Sequence, residues 1–78
     1  MQPVRLVLLL LTGPREGEND FLEFPSIEEA IAYGRELYGS SRLQLDSIED
    51  ANGKSLIAYD YLNHLCRPPH SMPQRKYG

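Results

Sequence analysis

The 78-residue sequence predicts an α+β domain: a four-stranded, mainly antiparallel sheet in the order β-β-α-β-β, one main helix, and a possible short C-terminal helix. Three stretches carry that prediction. Residues 26–38 pattern as a capped amphipathic helix. Residues 4–11 are a continuous apolar run of strand length. Asn52-Gly53 is a strong turn signal between two further strand-like segments.

Val4 to Leu11, VRLVLLLL, ends at Thr12-Gly13-Pro14, which favours a strand over a helix. Val4, Leu6, Leu8 and Leu10 would point to one side, and Val7, Leu9 and Leu11 to the other. A strand apolar on both faces belongs inside a sheet. Gly13 to Asp20 is a loop by composition, and Phe21 to Phe24 a short strand returning beside the first. The helix follows. Ser26 is its N-cap, with Glu29 completing a capping box and Glu28 and Glu29 at the positive end of the dipole. Ile27, Ala30, Ile31, Gly34, Leu37 and Tyr38 make its buried stripe, with Gly34 letting the backbone sit close to the sheet. Gly39 terminates it in a left-handed conformation.

Arg42 to Glu49 alternates as a strand, and Ser55 to Tyr59 returns from the Asn52-Gly53 turn. If those two residues are the loop, Ile48 pairs with Ile57 and Asp46 with Tyr59. Leu45, Leu56 and Ala58 then share one face, and Ile48, Ile57 and Tyr59 the other. Asp60 to Cys66 reads as a short helix capped by Asp60 and stopped by Pro68-Pro69, with continuation of the strand as the alternative. Residues 1–66 are thus expected to form a single domain, and residues 67–78 a flexible, proline-rich basic tail.

Charge and composition narrow the function classes. Residues 1–66 hold five basic and eleven acidic side chains, while the last twelve hold Arg67, Arg75 and Lys76 and no acid. An acidic body is repelled by phosphate backbones, so direct nucleic-acid binding is not expected; a basic protein partner suits it. The single cysteine, Cys66, rules out an internal disulfide. The apolar core of Met1–Leu11 is short for a signal peptide, and no run is long enough for a membrane helix. The expected setting is the cytoplasm.

No catalytic or cofactor motif stands out. The Gly13–Asp20 loop lacks a phosphate-binding glycine pattern and the order of a calcium loop. His64 and Cys66 are two apart on a helix and do not face each other. With His70 they make three metal ligands, where structural zinc takes four. The expectation is a protein with no enzymatic activity, cofactor or metal.

Interaction is the better-supported role. Five tyrosines occur without a tryptophan, and Tyr33, Tyr59 and Tyr61 fall on or near exposed faces. A twelve-residue helix is about 18 Å long and 10 Å across, against a four-stranded sheet about 19 Å wide. One helix therefore covers about half of one face. Val7, Leu9, Leu11, Ile48, Ile57 and Tyr59 are expected on the opposite face, joined by Tyr61, as an interface for a second copy or another protein.

The run Ser26-Ile-Glu-Glu-Ala-Ile31 with Gly34-Arg-Glu-Leu37, followed by the Asn52-Gly53-Lys54 hairpin, resembles a pattern common among small bacterial proteins. That likeness brings no functional residue with it. The sequence thus predicts a small acidic interaction module, self-associating or a subunit of a complex. The alternative is a phage-type inhibitor whose helix face, Glu28, Glu29 and Glu36, mimics nucleic-acid charge to block a basic groove.

Overall fold

The computed structural model describes residues 2–68. The part of the expected tail from residue 69 onward lies outside the described residues. Six elements follow one another: β1 (Val4–Leu10), β2 (Asn19–Phe24), α1 (Ile27–Leu37), β3 (Leu43–Glu49), β4 (Ser55–Ile57) and α2 (Tyr59–Cys66). The strands form one antiparallel sheet in the order β2-β1-β3-β4. The run that is apolar on both faces, β1, is an interior strand paired with both β2 and β3. The chain leaves β2, crosses over β1 through α1, and re-enters the sheet as β3.

Local chemistry sets the boundaries. Between β1 and β2, Gly17 adopts φ 90° and donates its N–H to the Leu10 carbonyl at 2.8 Å, while the Leu10 N–H reaches the Glu18 carbonyl at 2.9 Å. This is a glycine bulge, with one residue of β1 facing two on the return. Ser26 caps α1 by accepting the Glu29 N–H at 3.2 Å, and Gly39 follows the helix at φ 85°.

The β3–β4 turn differs from a two-residue hairpin. The Asp50 N–H donates to the Lys54 carbonyl at 2.9 Å, leaving Ala51, Asn52 and Gly53 as a three-residue loop with Gly53 at φ 85°. The Asp50 carboxylate explains the longer loop. It accepts the N–H groups of Lys54 (2.9 Å) and Asn52 (2.8 Å), and these bonds, the Lys54 one foremost, hold its pKa below the usual carboxylate value. Ile48 does pair with Ile57, but Glu49 then faces Ser55, so the ladder shifts at Leu56. The strand stops at Ile57, and Tyr59 enters α2 instead of pairing with Asp46. The helical reading of the C-terminal segment holds, one residue earlier than expected. Its N-cap is Ala58, without a side-chain cap, and Asp60 sits in the first turn.

Both helices lie on the same side of the sheet. Val4, Leu6 and Leu8 of β1 share one buried cluster with Leu45 and Ile48 of β3 and Ile57 of β4. Ala30 of α1 and Leu62 and Cys66 of α2 close it from above. The helices touch each other across Gly34, where a Cβ would lie 2.9 Å from the Cys66 Sγ and 3.6 Å from the Leu45 side chain. The missing side chain therefore brings α1 against α2 as well as against the sheet. Two polar ties reinforce the layer: the Arg35 Nε donates to the Leu65 carbonyl at 3.3 Å, and the Asn63 Nδ2 to the Leu45 carbonyl at 3.1 Å.

A bulge in β3 reassigns two residues expected on the opposite face. Val7 is opposite Ser47 but Leu8 is opposite Leu45, so Asp46 is an extra residue. Leu45 and Ile48, three apart, thereby point to the same side. Ile48 and its cross-strand partner Ile57 lie in the core under the helices, and the placement of Ile48 and Ile57 on an open interface is corrected accordingly.

Candidate functional site: the helix-free sheet face

Alternation along the strands assigns the other side of the sheet to three cross-strand rows centred on β1. Arg5 lies between Glu23 and Glu49, Val7 between Phe21 and Ser47, and Leu9 between Asn19 and Gln44. The first row is a cation between two carboxylates. The Arg5 Nη2 is 3.4 Å from the Glu49 Oε1, and its guanidinium carbon sits 5.5 Å from the Phe21 ring centroid. That geometry lays the side chain across the face and makes a cation–π contact with a β2 aromatic. The Arg5 Nε is buried and finds no acceptor among the described residues.

The other two rows supply an apolar centre with a polar rim. Val7 is only 3% exposed although no helix among the described residues lies on this side; it stands in register between Phe21 and Ser47. Phe21 itself is 51% exposed and Leu9 is half-buried. Leu56 of β4 is also exposed, next in sequence to the inward Ile57. Apolar centres ringed by polar side chains are the usual anatomy of a protein interface.

The structure distributes the other expected residues differently. Leu11 follows β1 and donates its N–H to the Arg42 carbonyl at 2.8 Å. With Tyr59 it lines a groove of ≈ 240 Å³ at the end of the sheet, where the C-terminal end of α1 meets α2. Tyr61 is 59% exposed on α2 and stacks on His64, with ring centroids 6.4 Å apart. Of the seven, Val7 and Leu9 thus belong to the helix-free face, whereas Ile48 and Ile57 lie in the core and Tyr59 and Tyr61 on α2. Glu28, Glu29 and Glu36 are all exposed on α1.

Phe21 and Arg5 are the residues that sequence reasoning passed over. The alternation of Phe21-Leu22-Glu23-Phe24 held the signal: it puts Phe21 and Glu23 on one face and Leu22 and Phe24 on the other. His64 and Cys66 are separated, the imidazole exposed and the thiol buried against Gly34. Burial pushes the Cys66 thiol pKa up. His70 lies outside the described residues. Among the described residues no helix is long and apolar enough to cross a membrane. Comparison with protein-family models, curated proteins and solved structures finds no match to this chain.

Proposed function

We propose that this chain is a small, non-enzymatic protein–protein interaction module of the cytoplasm that engages a protein through the helix-free face of its sheet. The observation that supports this most is the placement of both helices on one side, which leaves Phe21 and Leu9 without a covering element on the other among the described residues. The acidic balance of the body, with Glu23 and Glu49 on the rim, fits a partner whose contact surface is basic around an apolar centre. Covering the exposed part of Phe21 and its neighbours would contribute on the order of 1 kcal/mol per side chain. A second copy of the chain is the other occupant compatible with this reading.

A second reading has one observation in its favour: Glu28, Glu29 and Glu36 are all exposed on α1, available to occupy a basic nucleic-acid groove. Photo-crosslinking in the source cell separates the two. A benzophenone side chain at Leu9 or Gln44 should give a discrete adduct, and the same group at Glu36 should not. Adducts from Glu36 alone would transfer the function to α1, and an absence of adducts from the sheet positions would overturn the face reading.

A further inference from the structure

The sheet has two edges, and they are not equivalent. The β4 edge is three residues long, is interrupted at Leu56 and follows a turn bearing Lys54, all features that blunt edge-to-edge pairing. The β2 edge is six residues long and, among the described residues, has β1 as its one neighbouring strand. The Leu10–Glu18 bond sets the alternation of the ladder, so Leu8–Asp20, Leu6–Leu22 and Val4–Phe24 are the hydrogen-bonded pairs. The backbone N–H and C=O groups of Asn19, Phe21 and Glu23 therefore point away from β1, along the free edge.

Exposed aromatics flank that edge on both sides of the sheet. Phe21 stands on the helix-free face. Tyr33 of α1 stands on the helix face, 39% exposed and packed on Phe24 with ring centroids 5.4 Å apart. The charges that would guard the edge are damped. Asp20 lies 3.7 Å from Arg15, and Glu23 shares a row with Arg5.

We infer that the β2 edge pairs antiparallel with the β2 edge of a second copy of this chain, joining two sheets into one of eight strands. The strand's own sequence selects a second copy as the occupant. Asn19-Asp-Phe-Leu-Glu-Phe24 turned on itself about Phe21 or Leu22 sets no carboxylate opposite a carboxylate. About Leu22, Phe21 faces Glu23 and Leu22 faces itself; about Phe21, Asp20 faces Leu22 and Glu23 faces Asn19. A two-fold axis makes such a contact self-complementary, and it closes both free edges at once. The hydrogen bonds of this contact come from backbone groups at the sheet's rim, whereas Leu9 and Gln44 of the helix-free face lie on the interior strands.

Sedimentation of the full chain from micromolar to millimolar concentration tests it. The wild-type chain should pass from monomer to dimer. Glu23→Pro removes an outward N–H that β1 does not use, and it occurs twice in the dimer, so association should weaken about tenfold or more. A chain monomeric at every concentration, or a folded Glu23→Pro variant that dimerises as wild type, overturns the inference. Should that variant fail to fold, mild oxidation in a Cys66→Ala background decides. Phe21→Cys or Leu22→Cys should link rapidly into a dimer while Leu56→Cys on the other edge does not; equal linking at all three, or none, overturns it. Loss of the dimer together with intact crosslinking from Leu9 to another protein would leave the face reading standing.

Discussion

Ile48→Asp should abolish cooperative folding. The side chain is fully buried between β1 and β4, in the cluster closed by both helices. Among the described residues the cluster around it is apolar, and either an unpaired charge or a protonated acid there costs several kcal/mol. A chain of this length has a total stability of roughly 4–12 kcal/mol, so one such change removes most of it. Circular dichroism through a urea titration should show no unfolding transition, or one displaced to near zero denaturant. Phe21→Ser, on the other side of the same sheet, should retain a clear transition, because the ring it removes is half in water. Equal tolerance of both would mean that Ile48 faces outward, as strict alternation without the Asp46 bulge would have placed it.

Gly34→Val is the second severe change. A Cβ alone would approach the Cys66 Sγ to 2.9 Å, closer than side-chain atoms pack, and the two further methyl groups would meet Leu45. The sulfur has little room to yield, since Cys66 is 1% exposed and rotates about one bond. Overpacking of this kind costs about 3 kcal/mol, at the upper end of the usual range. A cycle with alanine isolates the cause. Gly34→Ala gains about 1 kcal/mol of helix propensity but loses more to the contact with Cys66, so it should destabilise. In a Cys66→Ala background the sulfur is gone, and the same substitution should become neutral or stabilising. That reversal is a coupling between neighbours, measurable by urea denaturation of the four chains. Additive effects would mean that the two helices do not meet at Gly34.

Much of this architecture was legible in the residues. Ser26, Glu29 and Gly39 marked the helix because caps are local chemistry, and the double-sided apolar run of β1 required an interior position. Two things were not legible. The bulge at Asp46 has no glycine or proline to announce it, yet it moves Ile48, and with it Ile57, from one face to the other. The side chosen by α2 depends on Gly34 and Cys66 meeting across more than thirty residues, a tertiary fit that periodicity cannot register. The bulge bears directly on the candidate site, because it withdraws Ile48 and Ile57 from it. Expectation gave the open face more aliphatic surface than it has and missed the contribution of Arg5 and Phe21.

Methyl-to-methyl nuclear Overhauser measurements can locate α2 directly. Leu62 should show contacts to Leu45 and Ile48, and none to Val7 or Leu9 across the sheet. Contacts from Leu62 to Val7 or Leu9 would place a helix over the face described as open, and would contradict the basis for expecting a protein to bind there.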